Sequence, residues 1–280
     1  MPFRSIRQLD KKLYLISLSP PLPGFDQFIG VWLHTGPPAL LVDVGPSATS
    51  DALLGALADL GIRHIDYLLL THIHLDHAGG IGEIAAAFPQ AAIVAHAQGL
   101  PHLAEPDRLW QSSLKSLGRT AEAYGTMRAV APHRLVDATA LDVLGIQVIP
   151  TPGHAPHHIS YTIGDTLFAG EAGGVCLASQ RPEPYMRPAT PPRFLLEVTL
   201  ESLDRLIIRH PPKIAYSHFG LFPEAEKRYR EALSIHQQVL PGDRGGLGFL
   251  YIHIALQLSN QERFEEAESL LASYTSTRSR

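Results

Sequence analysis

The stretch THIHLDHAGG, Thr71–Gly80, places three histidines and an aspartate within six residues. The apolar run IDYLLL precedes it and two glycines close it. Such a run reads as a buried strand, so the cluster sits where a strand ends and a helix begins. Residues i and i+2 of an extended segment point the same way, so His72 and His74 can face one ion together. Asp76 and His77, adjacent at the turn into the helix, diverge and face a second point nearby. Open α/β sheets place their ligands beyond the carboxyl ends of strands. Gly79 and Gly80 let the helix start close to the cluster. An ordinary polar surface loop explains any one of these residues. Four potential ligands on this spacing behind a buried strand point instead to metal binding.

The flanking pattern is that of an α/β chain. KLYLISLS (12–19), FIGVWLHTG (28–36) and ALLVDVG (39–45) are apolar runs between Pro/Gly turns and read as consecutive antiparallel strands. In SATSDALLGALADLGI, Leu53, Leu54, Leu57 and Leu60 form a helical stripe, with Ser47 or Ser50 as cap and Gly61 as stop. The strand HIDYLLLTH, the helix GIGEIAAAFP and the strand AAIVAH complete a β-α-β-α-β rhythm. PDRLWQSSLKSLGRTAEAYG predicts one helix in an otherwise irregular region. GIQVIPT, HISYTIG and TLFAGE predict strands, and PEPYMRPATPPR an irregular loop. RFLLEVTLESLDRLIIRH predicts an amphipathic helix, and PKIAYSH a last strand. Beyond Pro223 the composition changes, and PEAEKRYREALSIHQQVL, GLGFLYIHIALQLSNQ and RFEEAESLLASYT read as helices. The expected division is a main domain over 1–222 and a C-terminal helical extension over 223–280 packed on it.

Composition narrows the function classes. Charged residues make up 18%, with a net charge of −4 and no basic or acidic block. That argues against nucleic acid or an anionic membrane surface as the partner. The single cysteine, Cys176, excludes an internal disulfide framework and fits a reducing cytoplasm. The start, MPFRSIRQLDKKLYLI, lacks a signal-peptide pattern. No window approaches the roughly 18 to 20 apolar residues a membrane helix needs. A small-molecule substrate is the expected partner, and a homo-oligomer is compatible with the sequence. Histidine stands out in this ordinary mixture, with 15 copies.

More strand ends carry potential ligands. IPTPGHAPHHIS leads from a strand to His154, LFAGEAGG to Glu171, and IAYSHFG to His218, while LLVDVG ends on Asp43. Each fragment alone is weak; their recurrence supports one shared site.

Together these fragments resemble the metallo-β-lactamase fold superfamily over about residues 13–220. THIHLDHAGG matches its signature His-x-His-x-Asp-His. TPGHAPHHIS resembles its third-histidine motif, GDTLFAGE its carboxylate motif, YSHFG its last-histidine motif and LVDVG its Asp-bearing first motif. The resemblance implies an α/β fold, an αββα four-layer sandwich with the metal site on one edge, here with a small C-terminal helical appendage. It implies two divalent ions. His72, His74 and His154 would hold the first, and Asp76, His77 and His218 the second. Glu171 would bridge them and Asp43 would orient a ligand or the loop from behind. The family normally has aspartate where this chain has Glu171. The extra methylene leaves open whether that carboxylate bridges both ions. His157 and His158 read as supporting residues rather than ligands. Cys176 reads as a buried, inert thiol. Tyr185, Arg187 and Arg193 lie in the Pro-rich loop that can overhang such a site and are candidate substrate contacts. The C-terminal helices resemble in position the substrate-covering appendages of relatives such as glyoxalase II.

The implied chemistry is hydrolysis. Two close divalent ions with a shared water activate it near neutral pH and polarise the scissile carbonyl. Zinc suits a His/carboxylate set, with iron or manganese as alternatives. Asp76 could accept or orient the water's proton. The expected reaction is cleavage of an ester-type bond in a lactone, thioester or similar small acyl substrate. The alternative is an iron-dependent redox enzyme of the same fold, of the persulfide dioxygenase or diiron oxygen/nitric oxide reductase type. A non-catalytic binding protein that kept the fold is a third possibility, opposed by the nearly intact ligand set.

Overall fold

A computed structural model of the chain describes residues 5–177, 185–187, 189, 195–209, 211–218 and 220–223. The expected C-terminal helices lie outside the described residues, as does Arg193. Two sheets carry the fold. The first is seven-stranded and runs in chain order: β1 (Ile6–Gln8), β2 (Leu13–Leu18), β3 (Ile29–His34), β4 (Leu40–Val42), β5 (Tyr67–Leu69), β6 (Ala92–Ala95) and β7 (Leu135–Asp137). Its first four strands pair antiparallel and the rest parallel. The change follows from the connections: short turns join the first strands, while α1 (Ser50–Asp59) links β4 to β5. Helices α2 (Leu75–Ala78) and α3 (Ile81–Ala87) link β5 to β6, and α4 (Leu100–Ala104), α5 (Asp107–Leu117) and α6 (Arg119–Tyr124) link β6 to β7.

The second sheet contains β8 (Ile146–Pro150), β9 (Ile159–Ile163) and β10 (Thr166–Gly170). A separate hairpin of β11 (Val175–Leu177) and β12 (Tyr185–Arg187) follows. Helix α7 (Leu196–Ile207) then leads to β13 (Lys213–Tyr216) and β14 (Gly220–Pro223), and the sheet order is β14-β13-β10-β9-β8.

Strand alternation sorts the apolar side chains into three layers. Along β3, Val31 and Leu33 face the helices of the first sheet, with Leu53 and Leu57 of α1 and Ile81 and Ile84 of α3. Trp32, between them, points the other way. It joins Leu13, Leu15, Leu40, Val42 and Leu69 against Tyr161, Phe168 and Ala215 of the second sheet. Along β10 and β13, Leu167, Ala169, Ile214 and Tyr216 face Leu203, Leu206 and Ile207 of α7. Helices, sheet, sheet and helix form the αββα sandwich. Buried bonds stitch the sheets together, among them Trp32 Nε1 donating to the Tyr216 carbonyl at 2.9 Å and Tyr161 Oη to the Leu70 carbonyl at 2.9 Å. No helix among the described residues is long and apolar enough to cross a membrane.

Four local expectations are corrected. Neither Ser47 nor Ser50 caps α1. A 3-10 turn over Ser47–Thr49 runs straight into it, and the Thr49 hydroxyl donates to the Pro46 carbonyl instead. The single helix expected after Pro106 breaks into α5 and α6 at Gly118, whose φ of 53° and ψ of −121° lie outside the helical region. The Pro-rich stretch is not all irregular, because Tyr185–Arg187 forms β12 between prolines. PKIAYSH is not the last strand: β14 follows it and pairs antiparallel beside it.

Candidate metal centre

The candidate ligands gather at one edge of the sandwich because each lies just past the carboxyl end of a strand. Asp43 follows β4, His72 and His74 follow β5, His154 follows β8, Glu171 follows β10 and His218 follows β13. After β5 the chain stays extended to His74 (φ −63°, ψ 154°) and then turns into α2, which carries Asp76 and His77. Gly79 makes this turn fit. A Cβ there would come within 3.0 Å of Pro46 Cα and Ser47 N, so only glycine lets α2 lie against the segment after β4.

Two groups of donor atoms result, each with its atoms within 4.8 Å of one another: His72, His74, His154 and Glu171, and Asp76, His77 and His218. In the first, His72 Nε2 and His154 Nε2 lie 3.1 and 2.9 Å from His74 Nδ1. Glu171 joins the two groups. Its Oε2 is 2.8 Å from His154 Nε2 and 3.3 Å from both His72 Nε2 and His77 Nε2, and its Oε1 is 3.4 Å from His218 Nε2. Asp76 Oδ2 stands 3.6 Å from His77 Nε2 and 3.9 Å from His218 Nε2.

The outer ring nitrogens fix the tautomers. His154 Nδ1 faces the Ala189 carbonyl at 3.1 Å and His218 Nδ1 the Phe28 carbonyl at 3.2 Å. A carbonyl only accepts, so both Nδ1 atoms carry the proton. His77 Nδ1 donates in the same way to Asp43 Oδ2 at 2.9 Å. The Thr71 hydroxyl donates to Asp43 and thus accepts from His72 Nδ1 at 3.1 Å. Four imidazoles, each held by its outer nitrogen, therefore turn Nε2 toward the centre, where its lone pair can be offered to a cation in place of a proton. His77 Nε2 is buried and, among the described residues, makes no hydrogen bond, with Glu171 Oε2 standing 3.3 Å away. Converging lone pairs and carboxylates repel one another unless a cation lies among them, so this donor set fits divalent metal. Burial, reinforced by neighbouring imidazoles, holds His72 and His74 well below the usual histidine value. Burial would also lower His77, but the Asp76 and Asp43 carboxylates outweigh it and raise it well above that value. Burial would raise Glu171, and the histidines, His154 foremost, instead hold it well below the carboxylate range.

Asp43 is the hub behind the cluster. It is buried, its φ is 58°, and it accepts from Thr71 N at 2.8 Å, Ser217 Oγ at 2.7 Å and His77. A non-glycine residue held at positive φ in such a place is the kind of strain functional sites retain. Phe28 stacks on the His218 ring at 4.1 Å between centroids. His157 is not drawn into either donor group; burial, with His96 nearby, pushes it down to about 4. Sequence reasoning passed over Thr71, Ser217 and Tyr124. The first two adjoin motif histidines, which is a usable signal. Tyr124, on α6, is buried, and burial with the Asp76 and Glu171 carboxylates raises its phenol, which stays protonated. Tyr185 and Arg187 lie on β12, but their side chains, like that of Cys176, fall outside what is described.

Known proteins resemble this chain at several levels. The sequence profile of the metallo-beta-lactamase superfamily matches residues 31–218. A metallo-beta-lactamase fold-containing protein, ST1585 of Sulfurisphaera tokodaii, is 27% identical over 220 residues, covering 74% of this chain and 79% of that protein. The crystal structure of ST1585 superposes with a TM-score of 0.71 at 25% identity, over 92% of this chain and 99% of that one. The metallo-beta-lactamase family protein TTHA1429 of Thermus thermophilus superposes with a TM-score of 0.61 at 27% identity, over 83% and 81% of the two chains. A hydroxyacylglutathione hydrolase of Xylella fastidiosa is 30% identical over 153 residues, 54% of this chain and 47% of that protein.

Proposed function

This chain belongs to the metallo-β-lactamase superfamily, and from that premise we propose that it is a hydrolase acting through a two-ion centre on an ester-type bond. The substrate is a lactone, a thioester or a related small acyl compound. The observation that carries this reading is the orientation pattern: four imidazoles, each held by its outer nitrogen, turn Nε2 toward one shared carboxylate. His72, His74 and His154 would hold one ion, Asp76, His77 and His218 the other, with Glu171 touching both. Zinc suits this nitrogen and oxygen set and performs no redox chemistry. When bound, such ions lower the pKa of a shared water and polarise the scissile carbonyl.

The chain's own groups supply the rest. Asp76 is placed to accept the proton of the attacking water and pass it toward the leaving group. Asp43, Phe28 and Ala189 hold the imidazoles in orientation through their outer nitrogens. The protonated Tyr124 phenol is a donor available near the carboxylates. Among ester-type substrates, the relatives named hydroxyacylglutathione hydrolase favour a thioester, although this chain spans about half their length.

Elemental analysis of protein purified without added metal, followed by a screen of lactones, thioesters, phosphodiesters and β-lactams, tests this. Two equivalents of zinc with turnover of a thioester or lactone are expected. Iron without hydrolysis would move the chain to the redox class, and protein that takes up no metal on reconstitution would overturn the centre itself.

A further inference from the structure

His158 belongs to neither donor group, yet its ring is buried against the centre, 5.1 Å from the His72 ring between centroids. Its partners show what it does. The Glu171 amide donates to His158 Nε2 at 3.1 Å. An amide cannot accept, so Nε2 carries the lone pair and the proton is on Nδ1. Nδ1 then donates to Thr151 Oγ1 at 2.8 Å. Ser160 Oγ gives its one proton to the Ala169 carbonyl at 3.2 Å, so it accepts from the Thr151 hydroxyl at 3.0 Å. Every donor and acceptor in this buried chain is assigned once and in one direction. It starts at the amide of Glu171 and ends at the carbonyl of Ala169, the two residues flanking Gly170.

The backbone is unusual at that point. Gly170 has a φ of 59°, and the pairing of β10 with β13 shifts register between Phe168 and Gly170. A Cβ on Gly170 would come within 2.5 Å of His158 Nε2 and 2.9 Å of Thr71 Cβ. The imidazole thus fills the space a side chain at 170 would take and grips the next amide. This grip sets where the Glu171 side chain begins, and the carboxylate of that side chain stands within 3.4 Å of histidines in both donor groups.

We propose that His158 is a positioning residue of the centre: through the chain to Thr151, Ser160 and Ala169 it fixes the backbone at Glu171, so that this longer carboxylate lands between the two ligand sets. The inference rests on the two-ion reading above. Outer groups that orient a ligand typically govern metal retention about 10- to 100-fold.

The test measures ion retention against chelator concentration in zinc-reconstituted protein, alongside the melting temperature of the metal-free form and hydrogen exchange at the Glu171 amide. His158→Leu keeps bulk but offers no acceptor. It should release the ions at a chelator concentration about tenfold lower, with faster exchange at the Glu171 amide. His158→Gln places a carbonyl oxygen near the position of Nε2 and should restore both toward the parent. Thr151→Val, which cuts the next link, should shift retention the same way by a smaller factor, and it carries the test if His158→Leu does not fold. Leu and Gln variants that weaken retention equally would make His158 a packing residue and overturn the proposal. So would parent-like retention in His158→Leu, or in Thr151→Val should it have to stand alone. A parent that takes up no ion overturns the two-ion reading itself, whereas a parent holding two ions beside an equally tight His158→Leu overturns only this inference.

Discussion

Asp43 holds its position at a cost in backbone strain and accepts hydrogen bonds from Thr71, His77 and Ser217, so a substitution there disturbs several contacts together. Asparagine tolerates positive φ, so Asp43→Asn should fold. It removes the charge facing His77 Nδ1 and turns an amide donor toward Ser217, Thr71 or His77, all of which donate to it now. We expect ion affinity to fall about 10- to 100-fold, read by chelator titration. Glu171→Gln keeps the shape and removes the charge offsetting the two ions. It should weaken the Asp76, His77 and His218 ion more than the other, because three histidines remain for the first. Titration curves superposing on the parent at both sites would show that Glu171 holds nothing. His74→Ala should abolish hydrolysis while His157→Ala is milder, since only His74 points into a donor group; equal losses in kcat/KM would refute that division. The sequence displayed the donors because a His-rich loop behind a buried strand is a local pattern. It hid Asp43's partnership with Ser217, which spans 174 positions and exists only once the two sheets meet.

Among the elements, the ones visible beforehand were those with a strong local pattern. The runs that became β2, β3 and β4 are apolar and bounded by Pro/Gly turns, and α1 carries a leucine stripe, whereas β1 and β7 have no fully buried residue and lie in no such run. The break between α5 and α6 was hidden for another reason: one glycine in a helical pattern is tolerated, and nothing local says whether it bends. Gly118→Ala tests this break. No heavy atom lies within 4 Å of a Cβ there, so any loss comes from the backbone alone. The cost should be about 1–3 kcal/mol for a residue forced into that region, measured by denaturant unfolding; an unchanged midpoint would mean the break relaxes into one helix. Arg134 serves a neighbouring element. Its guanidinium covers the end of α3 by donating to the carbonyls of Ala85 at 2.6 Å and Phe88 at 2.7 Å, and to Ala91. These bonds depend on a planar fork, so lysine cannot replace it.

At the scale of the whole molecule, the donors come from both sheets: His72, His74, Asp76 and His77 from the first, His154, Glu171 and His218 from the second. Metal removal should therefore lower the melting temperature of the entire fold. Ion at a hundred times its dissociation constant contributes about 2.7 kcal/mol to stability, and a calorimetric scan with and without chelator checks it; identical transitions would mean the ions do not bind the native state preferentially. The same geometry bears on how the molecule comes apart. The sheets share an apolar layer and scattered hydrogen bonds such as those of Trp32 and Tyr161, and a loaded centre would add a tie drawing on both at the open edge. With ions in place, amides of β5 and β13 should exchange together in one global opening. Stripped of them, the two halves should gain independent, lower-energy openings, making the centre a clasp that turns two modest folding units into one.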